Sequence, residues 1–179
     1  MASASTKARP PRTPVTSVDL TTTEQFNPQV PGIHYGVLDS LVGYAIRRAQ
    51  IKLYEDFITT LAPWDITPPR YSALVVIAHN PGLKLTELAR ILGIARSGAV
   101  MLIDALESMG FVARLPARSG DRRAHALELT PQGEEALQAI SHAVVEHDHR
   151  MTQALTNDER KALVGLLQRI SLAPSTRSD

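Results

Sequence analysis

Arg118, Asp121, Arg122 and Arg123 lie within one short polar run, Ala117-Arg118-Ser119-Gly120-Asp121-Arg122-Arg123. A guanidinium stays charged at any physiological pH and offers a planar fork of donors, which suits phosphate oxygens and base edges. Asp121 can pair with Arg123 across a turn and hold its side chain in one pose. Such a pair contributes only about 0–1 kcal/mol when exposed, but it lowers the entropy lost on binding. An arginine presented this way suits a narrow A·T-rich minor groove, where the negative potential is deepest. Arg118 and Arg122 suit phosphates. The bland alternative is a charged loop that only meets solvent. Charge distribution favours the first reading: the chain nearly cancels, with 19 Lys+Arg against 18 Asp+Glu. Yet Lys84–His125 holds seven Lys/Arg against four acids, a local excess of three.

A second group precedes it. Arg96, Ser97, Gly98, Val100, Met101 and Asp104 occupy the expected outer face of a helix over residues 96–109. Arg96 can meet guanine or phosphate, Ser97 comes next, and Val100 and Met101 can touch thymine methyls. Ala95 cannot cap this helix with a side chain, a feature typically contributing about 1 kcal/mol. Gly98 costs a similar amount relative to Ala, about 1 kcal/mol, while allowing close backbone approach.

A third group, Tyr44, Arg47, Arg48, Trp64, Tyr71 and His79, offers aromatic walls and cationic heads for a small-molecule effector. An aromatic acyl group could lie on the rings while carrier phosphates meet the arginines. Each residue has a plainer reading: Arg47 and Arg48 as a solvated helix face or ion pairs, Trp64 and Tyr71 as core, and His79 as a helix C-terminal residue favoured by the dipole. His142, Glu146 and His149 share one helical face at spacings that could hold zinc, against a solvated or paired polar face. No glycine-rich phosphate loop, nucleophile elbow or HExxH run appears, so no enzyme and no cofactor is expected. The absence of cysteine excludes disulfides and thiol redox sensing.

These residues need elements to position them. Residues 1–37 hold five of the 12 prolines and no hydrophobic period, and read as a flexible tail. Its Lys7, Arg9 and Arg12 either touch phosphates or simply solvate it. Apolar residues at spacings of three and four predict a helix over Leu38–Leu61, apolar on more than one side and so packed against more than its own chain. Pro68 and Pro69 open a second helix, Pro68–His79, stopped by Asn80-Pro81-Gly82. Thr86–Leu92, capped by Thr86, and Arg96–Met109 follow, each closed by glycine. Phe111–Pro116 and Ala124–Thr130 read as strands flanking the arginine-rich tip. Thr130-Pro131 starts a helix to about Gln153, and Thr156–Glu159 is a capping box for a last helix to Leu172. Residues 173–179 form a polar tail.

Leu85–Leu106 has helix-turn-helix architecture. Leu88 and Leu92 face inward, Ala89 stands where the helices cross, and Gly93 makes the turn. Followed by a two-stranded hairpin with basic residues at its tip, it predicts a winged helix. Three separated motifs then resemble the multiple antibiotic resistance regulator (MarR) family: Leu88-Ala89-Arg90-Ile91-Leu92-Gly93-Ile94, Leu106-Glu107-Ser108-Met109-Gly110-Phe111-Val112, and Asp121-Arg122-Arg123 followed by Leu129-Thr130-Pro131-Gln132-Gly133. The resemblance covers about Leu38 to Leu172. It implies a homodimeric winged-helix repressor, paired through its first and last helices, with a ligand between the dimerisation and DNA-binding parts. Arg47-Arg48-Ala49-Gln50 is similar to the branch that controls catabolism of aromatic acids, notably hydroxycinnamates, and responds to their coenzyme A thioesters.

The expected fold is therefore mainly α with a small β wing. It comprises the 1–37 tail, a 38–172 domain with its DNA-binding lobe at 84–130 and dimerisation helices at 38–62 and 131–172, and the 173–179 tail. The expected partners are a pseudo-palindromic DNA duplex, a second copy of the chain and a small-molecule effector, with repression relieved by that effector. No apolar run approaches a membrane span, the N-terminus lacks a secretory h-region, and a cytoplasmic location follows. The rivals are a metal-responsive regulator using the His142 group and a winged helix that binds only protein.

Overall fold

A computed structural model of the chain describes residues 26–116 and 125–172. The chain divides into two units, residues 1–35 and 36–179. In the first, residues 30–33 form a turn in which Ile33 N donates to Val30 O at 3.2 Å.

The second unit opens with a short 3-10 turn, Gly36–Ser40, before α1 (Val42–Leu61). The long helix thus begins later than the expected Leu38. Ser40 Oγ bonds back to Val37 O at 2.8 Å, and Leu41 at the N-cap offers no side-chain acceptor. The local hydroxyl bond competes with helix entry. After α1, Asp65 adopts a left-handed φ of 51°. Arg70 holds it there, with Nη1 2.6 Å from the Asp65 carbonyl and 2.9 Å from its Oδ2.

α2 (Pro68–His79) carries both prolines in its first turn, where missing N–H groups cost nothing. Then follow β1 (Leu83–Lys84), α3 (Leu85–Ile91), α4 (Arg96–Ser108), β2 (Val112–Pro116), β3 (His125–Leu129), α5 (Pro131–Met151) and α6 (Asn157–Leu172). The strands form an antiparallel sheet in the order β1-β3-β2. β1 was not expected from sequence. Leu83 pairs with Leu127 and Lys84 with Ala126, so the wing's base is three strands wide. Thr86, expected above to cap α3, does not; Lys84 is the N-cap residue, and Glu87 Oε2 accepts its N–H at 2.9 Å.

Leu61, Leu74, Ile77, Leu88, Ile103, Leu106, Leu127 and Ile140 are fully buried. They come from the end of α1, from α2, α3, α4, β3 and α5, and they form one core. α6 buries no residue, and α1 only Leu61. Val42, Ile46, Leu53 and Ile58 of α1, and Leu163, Val164, Leu166, Leu167 and Ile170 of α6, stay exposed. Among the described residues no helix is long and apolar enough to cross a membrane.

Candidate functional site

α3 and α4 cross on buried Leu88, Ala89, Ala99 and Ile103. Gly93 makes the turn between them at φ 64°, a region where a Cβ is strained, and Ile94 N returns to Ala89 O at 3.0 Å. The burial of Ala99, Ile103 and Leu106 turns the opposite face of α4 outward. Arg96, Ser97, Met101 and Asp104 are exposed there, whereas Gly98 and Val100 are half-buried. Arg96 makes no ion pair among the described residues. Ala95 stands at the N-cap with no side-chain hydrogen bond, and a Cβ on Gly98 would meet only Ile94, at 3.9 Å.

The wing leaves α4 through Gly110, at φ 77°. β2 and β3 pair from Val112↔Leu129 to Pro116↔His125. Arg118, Asp121, Arg122 and Arg123 lie outside the described residues. Arg114, counted above toward the positive excess, has its guanidinium engaged within the fold. Nη2 is 2.6 Å from Asp104 Oδ1 and Nη1 2.5 Å from Glu107 Oε2. Thr130 closes the wing: its Oγ1 donates to Gly110 O at 2.6 Å and accepts from Gly133 N at 2.9 Å, so one hydroxyl caps α5 and anchors it to the end of α4.

The effector candidates fall into several settings. On α1 the Arg48 guanidinium lies over the Tyr44 ring, 5.3 Å from its centroid, while Arg47 donates to Gln50 Oε1 at 2.9 Å. Trp64 and Tyr71 pack half-buried against the core. Tyr71 OH donates to Ser141 Oγ at 3.3 Å, and its ring lies 6.4 Å from Phe57. His79 is exposed and donates from Nδ1 to Val75 O at 2.8 Å, within its own helix. A cleft of about 480 Å³ opens beside α2, lined by Ile77, Ala78, Pro81, Glu128, Leu129, Glu134, Leu137, Gln138 and Ser141. Its lining residue Ser141 accepts the Tyr71 hydroxyl bond, and Glu128 and Glu134 oppose an acidic occupant. His142 Nδ1 lies 3.7 Å from Glu146 Oε2, both exposed, while His149 faces Arg160 at 3.4 Å. Among the described residues no three His, Asp or Glu side chains converge as a metal would require.

One polar centre was not found from sequence. His147 of α5 is 6% exposed, the one charged or polar residue that is buried among those described. Its Nδ1 lies 2.8 Å from Asp56 Oδ1 on α1, and its ring meets Phe57 edge-on at 5.4 Å. Arg150 Nη2 reaches the same oxygen at 2.6 Å and Thr60 Oγ1 at 2.8 Å. Burial pushes the Asp56 carboxyl up, but hydrogen bonds from His147, Arg150 and Thr60, with the Arg150 charge, outweigh it and hold Asp56 below its ordinary value. Ninety-one residues separate Asp56 from His147, so no local spacing could signal the pair.

A carboxyl with a lowered native pKa stabilises the fold above the ordinary carboxylate range, and that contribution disappears as acid titrates through the native value. Asp56→Asn should therefore cost about 1–2 kcal/mol at neutral pH, since hydrogen bonds to a charged group contribute somewhat more than neutral ones and this site is partly open. The gap between the variant and the parent should close as pH falls below about 4. Denaturant unfolding across that range checks it; a gap independent of pH would show that the carboxylate charge contributes nothing.

A helix-turn-helix whose second helix leads into a strand-paired wing defines the winged helix-turn-helix class. The family model described as "MarR family" matches residues 64–124. A protein of Thauera aromatica, "Putative transcriptional regulatory protein for hcr operon", is 34% identical over 145 residues, 80% of this chain and 87% of its own. The solved "Transcriptional repressor, CouR, bound to a 23-mer DNA duplex" superposes with TM-score 0.74 at 40% identity, covering 78% of this chain and 98% of that one. CouR "bound to p-coumaroyl-CoA" gives TM-score 0.70 at 38% identity over the same shares. Apo MarR from E. coli gives 0.62 at 26% identity, covering 73% and 96%. The chain belongs to the MarR family of transcriptional regulators.

Proposed function

We propose that this protein is a homodimeric DNA-binding repressor of the cytoplasm, not an enzyme, released from its operator by an aromatic acid or, in preference, its coenzyme A thioester. The observation that carries the reading is the outward face of α4. Arg96, Ser97 and Met101 are exposed there, on a helix held rigidly by the core and followed by the wing. The side chains on that face suit base edges of a major groove, which admits an α-helix, and the wing run Arg118–Arg123 is proposed to reach the flanking minor groove or backbone. Likeness to CouR, solved with a DNA duplex and with p-coumaroyl-CoA, supports both halves of the proposal.

Pairing through α1 and α6 is favoured by their exposed apolar residues. A two-fold pair would place its recognition helices one turn of DNA apart, roughly 34 Å, and read a pseudo-palindrome. For the effector, Arg47 and Arg48 are the cations proposed to meet carrier phosphates. Tyr44, Trp64 and Tyr71 are proposed to receive the aromatic group, with His79 at the edge.

The test is a linked titration. Binding to a duplex from the region upstream of the gene is followed by anisotropy while p-coumaroyl-CoA is added. Duplex affinity should fall, and saturating duplex should weaken thioester binding by the same factor, since coupling free energy is reciprocal. Arg48→Ala should weaken the thioester response about ten-fold or more, one charge-assisted contact being worth roughly 1.5–3 kcal/mol, while leaving duplex affinity alone. Thioester affinity that ignores saturating duplex defeats the mechanism.

A further inference from the structure

We infer that Arg114 is a positioning residue for duplex binding: it locks the first wing strand against the recognition helix and does not itself contact phosphate. The assignment rests on the DNA-binding reading above. Arg114 lies at the centre of β2, opposite Leu127 of β3. Its two terminal guanidinium nitrogens reach separate carboxylates on α4, Asp104 Oδ1 at 2.6 Å and Glu107 Oε2 at 2.5 Å. Its main-chain N–H donates to Glu107 Oε1 at 3.1 Å. Glu107 therefore takes a backbone and a side-chain donor from the same residue, and this fixes the strand's position along the helix as well as its distance from it. The side chains of Arg114 and Glu107 are 29% exposed and that of Asp104 55%.

The planar fork of an arginine presents a separate nitrogen to each of two fixed carboxylates, where a lysine offers one point charge. The contact also has an electrostatic role. Asp104 stands one turn beyond Met101 on the outward face of α4, where a bare carboxylate would oppose DNA phosphate. Arg114 pairs with that carboxylate and offsets part of its charge. The strand so held is the first of the wing, so the spacing between the groove-reading face of α4 and β2 depends on this clamp.

The double variant Arg114→Met with Asp104→Asn removes the clamp and leaves the formal charge of the trio unchanged. Anisotropy titrations against the operator and a scrambled duplex, over a series of KCl concentrations, would compare it with the parent and with Arg114→Lys. The clamp predicts about ten-fold weaker operator binding for the double variant, the scale of one charge-assisted contact, with a smaller loss for Arg114→Lys. The salt slope and the scrambled-duplex affinity should not change. A slope shallower by about one would mean that Arg114 touches a phosphate, and unchanged operator affinity would mean that the clamp positions nothing; either overturns the assignment. Amide exchange supplies a readout independent of DNA: β2 and β3 should exchange faster in the double variant while the α2 core does not. Unaltered exchange there also overturns it. A parent protein that binds neither duplex, yet shows this exchange response, would defeat the DNA reading and not the clamp.

Discussion

Gly133→Ala should lower the unfolding free energy by about 3 kcal/mol, at the upper end of what overpacking costs. A Cβ built on Gly133 would lie 2.0 Å from the Phe111 carbonyl oxygen and 2.8 Å from its carbon. Both are backbone atoms, so no rotamer change relieves the overlap. The same carbonyl accepts the Thr130 N–H at 3.0 Å, and Gly133 N donates to Thr130 Oγ1. Moving either partner therefore loosens the α5 cap and its tie to Gly110 together. Gly98→Ala is the opposite case. It sits in a helix with room for a methyl group and should gain roughly 0.5–1 kcal/mol. Urea unfolding of both variants checks the pair. A loss below about 1 kcal/mol for Gly133→Ala, the low end for overpacking, would show that the α4–β2 connection is free to shift.

Leu166→Glu combined with Ile170→Glu should convert the protein to a monomer and lower operator affinity by roughly 10²–10⁴-fold, the avidity lost when two linked half-sites become independent. These residues are one turn apart on α6, exposed by 53% and 54%. Isolated helices of about this length are marginal in water, and no residue of α6 is fully buried by its own chain, only part of Arg160 being covered. The variant tests whether a second copy covers this exposed apolar face. Since neither residue belongs to the core, the winged lobe should stay folded by circular dichroism. Sedimentation reads the mass and anisotropy the affinity. A variant that remains dimeric would place the pairing surface elsewhere.

The α2, α4, α5 and α6 helices were legible because strong punctuation coincides with periodic apolar residues: Pro68-Pro69, Gly110, Thr130-Pro131 and the Thr156–Glu159 box. In that box Thr156 N donates to Glu159 Oε2 at 2.8 Å and Glu159 N to Thr156 Oγ1 at 3.3 Å. β1 was not legible, because two residues carry no alternation and their pairing is decided by Leu127 and Ala126, far along the chain. The start of α3 misled for a similar reason. Thr86 is the better capping residue by type, yet the Glu87 side chain reaches back to the Lys84 N–H and sets the boundary. For the candidate site, the outward face of α4 could be read from its buried complement, apart from half-buried Gly98 and Val100. The contacts of Arg114 and His147 could not. Both residues look like surface charge in sequence, and only tertiary packing brings their carboxylates to them.

α5 begins at the wing's closing threonine and runs without interruption for 21 residues, about 31 Å at the usual rise. One end is pinned to the lobe by Thr130, and the far end is bolted to α1 through His147, Arg150 and Asp56. It is a lever with no joint in its shaft. Tilting it by roughly 10° about the far end sweeps the lobe about 5 Å, more than one nucleotide step of about 3.4 Å. A small swing at the base is therefore magnified into a whole-step misalignment at the tip.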